Sequence, residues 1–327
     1  MMNRISRTKW AVALGLGLLT GATGAWAGWM DEREALDHRQ VQGMFRVHYT
    51  LSGQNALSVK SGGKKKFSGG ASELAAQIAA EMHNADQFYS QTLGLGPINR
   101  LRRYAPLNLT WVDVHMLRME DKTASTGDAV VTYNYRKFKD VAPALTISVS
   151  TDWRPPGETP EHEVFHTYQY AYTFFKNAWF LEGMARSLEG VFDDRTYQTE
   201  TLPANQAELD VLLGRTYSAS RFWSRLMALC DPGCAKSWDG AYFTSQEPMC
   251  GGGLVKSVLE QFEALDPLAA AERGLSTTDW PEAEQWSSRN TPWMLRGLGR
   301  AIDQQCPVAT NPELGRFRSV LTEAAGN

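Results

Sequence analysis

Residues 159–190 read TPEHEVFHTYQYAYTFFKNAWFLEGMARSLEG, Thr159 to Gly190, and this stretch decides the fold. The chain has 327 residues and six histidines; two of them, His162 and His166, stand four apart around Glu163. At 3.6 residues per turn, positions four apart differ by roughly 40° around a helix axis. On a helix both imidazoles therefore leave from one side, one turn apart, and two neutral ring nitrogens can share a zinc ion. Glu163 lies about 60° round from His166 on that side. It can reach a metal-bound water but is poorly placed to be a ligand beside His166. The opposite side carries Val164, Tyr168, Ala171 and Phe175, a stripe suited to a core. Pro160 fits the first turn, where its missing N–H costs nothing.

A second helix follows in AWFLEGMARSLEG. Leu181, Met184, Ala185 and Leu188 recur at i, i+3, i+4 and i+7, so one face packs. Glu182 lies on another face, with Glu189 nearly in line seven residues on. Gly183 inside a helix costs about 1 kcal/mol relative to alanine, and close approach of the two helices would offset that. Such an approach brings Glu182 to the histidines. Catalytic zinc takes three protein ligands and leaves one position for water, and His, His, Glu is a known set. The sequence thus points to His162, His166 and Glu182 as ligands of one Zn²⁺. Glu163 is then the general base, and Glu189 orients a histidine from behind. The bland alternative for Glu182 is a surface ion pair with Arg186, i to i+4. Tyr170 and Gln169 lie near the histidine face, where they either line the cleft or pack.

Outward toward the N-terminus, strand-like runs occupy 44–51, 107–116, 129–135 and 144–150, separated by turn-rich segments. A helix opens at Ser72, with Leu74, Ile78, Met82, Ala85 and Phe88-Tyr89 as its apolar stripe. The segment SVKSGGKKKFSGGAS between them reads as a solvated loop around Lys64–Lys66. Beyond Gly190 the chain is mostly helical: 206–213, 217–229, 252–265, 291–302 and 313–324. Strands first and helices afterwards is an α+β pattern, with a mixed sheet and ligand helices over 28–190 and a helical lobe over 191–327.

Residues 1–27 stand apart. A basic start (Arg4, Arg7, Lys9), a short apolar run and Ala25-Trp26-Ala27 match a secretory signal peptide cleaved after Ala27. The run falls short of the ~20 residues a membrane-spanning helix needs. Removing those three cations takes the formal charge from −3 to −6, which argues against a nucleic-acid partner. Four cysteines remain, Cys230, Cys234, Cys250 and Cys306. In an exported protein they are expected to form two disulfides, with three connectivities open.

HEVFHTYQYAY followed by WFLEGMARSLE resembles the gluzincin metallopeptidases, in which H-E-x-x-H on one helix is completed by a glutamate on the next. Within them it resembles a group of exported bacterial metallopeptidases that share an HYT-x-SG strand near the start, as Tyr49 and Gly53 stand here. The specific likeness spans about 160–190, and a looser one by order of elements about 43–265. The resemblance implies a zincin-like fold, a zinc site of His162, His166 and Glu182 with Glu163 as base, and a protein or peptide substrate held extended along a sheet edge above the cleft. It also offers Tyr217, which opens the helical segment at 217, as oxyanion donor; the alternative is a tyrosine packed at an interface. The spacing from His166 to Glu182 is shorter than in the aminopeptidase branch, and that branch's amine-anchoring motif is absent, so an endopeptidase is expected. A zinc hydrolase of a non-peptide amide or ester, and a non-catalytic exported binding protein, are the competing readings.

Overall fold

A computed structural model describes residues 28–58, 67–155, 157–192, 199–233 and 250–326. The signal-peptide segment, Lys64–Lys66 and Cys234 lie outside the described residues. Among the described residues the architecture is α+β, with a mixed six-stranded sheet and a helical layer packed on one face.

A short helical segment at 28–34 leads into β1 (His38–Gln42) and β2 (Phe45–Tyr49), an antiparallel hairpin. Its two-residue turn needs Gly43, which has φ +57° and leaves no room for a Cβ beside His83. Helix α1 (Ala71–Gln87) follows, then β3 (Trp111–Leu117), β4 (Ala124–Thr126), β5 (Val131–Thr132) and β6 (Pro143–Ser150). The sheet runs β1-β2-β3-β6-β4, with β5 also on β6. β2, β3 and β6 are mutually parallel; β4 and β5 are antiparallel to β6. Strand β4 therefore forms an edge.

Two strands differ from the sequence reading for local reasons. β3 starts at Trp111 rather than Leu107 because a 3₁₀ turn at Ala105–Leu107 ends on Asn108 in the left-handed region, φ 53°. Asparagine tolerates that conformation better than most residues. The run 129–135 pairs only at Val131 and Thr132, because Thr132 stands opposite Pro143, which has no N–H to continue the ladder. Beyond it Tyr133 and Tyr135 turn onto the far face of the sheet, where they meet Thr146 and Asp113.

Side chains alternate across the strands. Phe45, Val47, Val112, Val114, Leu145, Ile147 and Val149 face the helices and are buried. The helical layer contains α2 (Thr159–Tyr172), α3 (Ala178–Glu189), α4 (Gln206–Leu213), α5 (Ser220–Cys230), α6 (Gly252–Arg273), α7 (Glu282–Gln285), α8 (Thr291–Gln305) and α9 (Pro312–Ala324). Buried apolar residues from Phe45 to Leu321 form one connected cluster, so the core is continuous from sheet to last helix. Cys230 at the end of α5 is disulfide-bonded to Cys306 at the end of α8. Cys250 is also disulfide-bonded. No helix among the described residues is long and apolar enough to cross a membrane.

Candidate metal centre

Helix α2 is buried on all sides from Pro160 to Tyr172, which is more than the one-sided burial its pattern implies. Beyond the expected stripe of Val164, Tyr168, Ala171 and Phe175, the intervening Phe165 is also fully buried. His162 and His166 are 6% and 4% exposed, with ring centroids 4.6 Å apart and rings near perpendicular. The chain leaves α2 through extended Thr173 and re-enters a helix after Asn177, so α3 returns alongside.

This return places Glu182 Oε2 3.2 Å from Nε2 of His162 and 3.7 Å from Nε2 of His166. The ligand atoms of His162, His166 and Glu182 all lie within 4.8 Å of one another. Two ligands held about 2.05 Å from zinc at the tetrahedral angle would be about 3.3 Å apart, so the donor set fits that ion. Arg186 pairs with Glu189 Oε1 rather than with Glu182, so the i to i+4 surface pair is not formed.

The back of each ring is locked. Glu189 Oε2 is 2.7 Å from Nδ1 of His162, and the carboxylate can only accept, so Nδ1 carries the proton. Behind His166, Gln169 Oε1 is 2.8 Å from Nδ1. The amide's orientation is set by its other end, because Nε2 of Gln169 donates to the carbonyls of Phe180 (3.2 Å) and Leu181 (3.1 Å). Nδ1 of His166 is therefore also a donor, and both Nε2 lone pairs are left for a metal. Gln169 is fully buried behind the ring rather than in the cleft wall.

Without a metal, the charges in this cluster hold each other. Burial pulls the His162 pKa down, but hydrogen bonds with Glu182 and Glu189 overcome it and push it up to about 10. Burial would raise Glu182, yet its contacts with His162 and His166 hold it well below the usual carboxylate range. The preceding residue, Glu161, is 5% exposed. Burial first, and then the charge of Glu81, raise its pKa well above the usual carboxylate range, which favours the neutral acid.

Glu163 is 7% exposed and lines a cleft of 760 Å³ together with the three candidate ligands. Thr126 of β4 holds it: the threonine hydroxyl donates to Glu163 Oε2 at 2.6 Å and also lies 3.1 Å from the Glu163 carbonyl. Edge residues 121–128 form one cleft wall, and Tyr170, Lys176 and Trp286 contribute to the rest. Lys176 is 3% exposed and bridges Asp128 (3.1 Å) and Glu282 (2.9 Å).

Tyr217 opens a 3₁₀ turn before α5 and is 56% exposed, with its ring centroid 5.9 Å from that of His162. It therefore faces the cleft instead of packing at an interface. Partial burial and then the carboxylate of Glu182 push its hydroxyl up to about 12, so it stays protonated at neutral pH. Gly183 brings it there. A Cβ at Gly183 would come 2.7 Å from Cβ of Ala219 and 3.2 Å from Cδ1 of Trp223. The close approach expected of this glycine is thus between α3 and the turn into α5, not between α3 and α2.

Thr126 carries no motif, and Gln169, although it stands within HEVFHTYQYAY, is not marked there as the partner of His166. Thr126 sits in a three-residue strand without apolar alternation, and Gln169 is one polar residue among aromatics; only the fold gives either a partner. No protein-family model, no curated protein and no solved structure matches this chain.

Proposed function

We propose that the protein is an exported zinc-dependent endopeptidase with a zincin-like arrangement. The observation that carries this reading is the pair of locked imidazoles. Their Nε2 atoms converge with Glu182 Oε2 at 3.2 and 3.7 Å, beside a carboxylate fixed by a separate hydrogen bond. His162, His166 and Glu182 would hold the metal, which when bound would activate water and polarise the scissile carbonyl. Glu163, held by Thr126, takes the proton from the attacking water and returns it to the leaving amine. Tyr217, protonated and exposed to the cleft, donates to the oxyanion. β4 ends the sheet and its residues line the cleft, so an extended peptide can add there as a further strand. The Cys230–Cys306 disulfide supports an oxidising compartment.

The test is metal content together with turnover of casein and a mixed peptide library, with and without chelator. Purified protein should hold one zinc per chain and lose activity on chelation. Glu163→Gln should keep the zinc and lose turnover by about 10²–10⁴-fold, the usual range for general acid–base catalysis. Peptide cleavage surviving that substitution would defeat the mechanism. Chelator-sensitive hydrolysis confined to small amides or esters would overturn the peptidase assignment. Full zinc loading with no hydrolysis would mark a binding protein.

A further inference from the structure

The sheet's far face, turned away from the helical layer, is also enclosed. Thr146 and Ser148 of β6 point there, and a cavity of 470 Å³ lies against the outer side of β4, lined in part by Trp29, Arg33, Ser125, Ala129, Val131 and Ser148. Arg33 is 6% exposed. Its guanidinium lies 4.0 Å from the Trp29 ring centroid, and it donates from Nη2 to Ser148 Oγ and from Nη1 to the Trp29 carbonyl, both at 3.0 Å. Its Nε is buried with no hydrogen-bond partner among the described residues.

What this cation lacks is an anion held close. Its neighbour on the same face, Arg46, grips Asp113 at both oxygens, 2.6 and 2.8 Å. For Arg33 the one carboxylate in ion-pair range among the described residues is Glu32, at 4.0 Å. Gln54 and Asn55 both donate to Glu32 Oε1 and hold the carboxylate at that distance, with Oε2 toward Arg33 but beyond hydrogen-bond reach. A buried cation whose counter-ion stands off is costly: burial lowers the Arg33 pKa, and the distant Glu32 offsets that only in part. An anionic ligand would offset that cost.

We propose that this cavity binds a small organic carboxylate with an apolar body. The planar guanidinium matches a carboxylate, and the hydroxyls of Ser125 and Ser148 add polar groups. Trp29, Ala129 and Val131 form an apolar wall for the attached hydrocarbon. Asp128 also lines the cavity but is paired with Arg103 and Lys176, and one cation in mainly apolar surroundings suits one negative charge better than a multiply charged, strongly hydrated anion. The site is separate from the metal cleft, although both share Ser125–Asp128 as a wall, and it does not depend on the metal reading.

The experiment is calorimetric titration of the full chain, stripped of metal by chelator so that no metal competes for the ligand. Phenylacetate should bind saturably at one site per chain. Phenylacetamide, its neutral counterpart, should bind at least tenfold more weakly. Arg33→Gln should weaken phenylacetate at least tenfold. Ala129→Trp, at an exposed position whose side chain would fill the cavity, should abolish binding while circular dichroism stays unchanged; it decides the matter should Arg33→Gln fail to fold. Absence of saturable binding, equal affinity for acid and amide, or undiminished binding in Ala129→Trp would overturn the proposal. Inorganic phosphate competing more tightly than phenylacetate would overturn the carboxylate assignment.

Discussion

Gln169 Oε1 accepts from Nδ1 of His166 at 2.8 Å, while the same side chain ties down two main-chain carbonyls of α3. One residue therefore sets the tautomer of a ligand on α2 and joins that helix to the one carrying Glu182. Gln169→Leu keeps the bulk and removes both functions. Zinc affinity should fall 10- to 100-fold, the usual effect of losing a ligand's hydrogen-bond partner, as measured by competition with a chromophoric chelator. Unchanged affinity would show that packing alone orients His166.

Thr126→Val removes the hydroxyl that holds Glu163 and leaves the strand its β-branched shape. The expected outcome is a fall in kcat of about tenfold, with KM within a factor of two and zinc content unchanged, since removing one hydrogen bond costs about 1 kcal/mol or somewhat more when the acceptor is charged. Steady-state kinetics on one defined peptide, paired with metal analysis, read both. A change in KM alone would place Thr126 in substrate binding instead.

The far face of the sheet predicts an acid-sensitive fold. His48 and His115 are fully buried there, and burial lowers both pKa values, that of His115 well below the ordinary histidine value. Tyr135 donates to Asp113 (2.9 Å), so the His115 Nε2–H donates to Tyr135 (2.8 Å) and Nδ1 is left without a partner. The groups facing this pair are Asp113, Arg46, Arg39, Arg33, Tyr133 and Tyr135. Because the folded pKa values are depressed, the unfolded chain binds more protons below pH 6.5. Stability is complete above that pH and is lost as pH falls toward the folded values. The slope is up to about 1.4 kcal/mol per pH unit for each histidine. Urea midpoints should drop between pH 7 and pH 5, and His115→Gln should flatten the decline; an unchanged slope would remove His115 from the account.

The Cys230–Cys306 bond spans 76 residues of sequence. In the chain-entropy description, closing a loop of that length stabilises by roughly 4 kcal/mol. The double substitution Cys230→Ser with Cys306→Ser should lower chemical-denaturation stability by a large part of that amount, with little change in metal affinity, because the bridge joins α5 to α8 and neither cysteine lines the cleft of the ligands. Loss of zinc in proportion to stability would contradict that separation.

The ligand helices were legible because their chemistry is local: His162, Glu163 and His166 define a helix face by spacing alone, and Glu182 follows one short loop later. Long amphipathic segments such as α1 and α8 were legible for the same reason, periodicity over many residues. Two edge strands were not. HRQVQ in β1 is half-exposed and lacks an apolar alternation, and AST in β4 is too short to show a period. Nor did alternation in β2 reveal that Arg46 and His48 are buried. Their cover is the aromatic segment with Tyr135 and Phe138, which is distant in sequence and arrives only through the topology.

The tight fit at Gly183 has a mechanical consequence. With Ala219 and Trp223 lying where its Cβ would be, and the Trp223 indole N–H donating to the Trp179 carbonyl at 2.9 Å, α3 and the start of α5 are keyed together like a tongue in a slot. Glu182 and Tyr217 ride on the two halves of that joint. A shift of the C-terminal helices would therefore carry both side chains as one piece, and their spacing would outlast any change in the width of the gap they border.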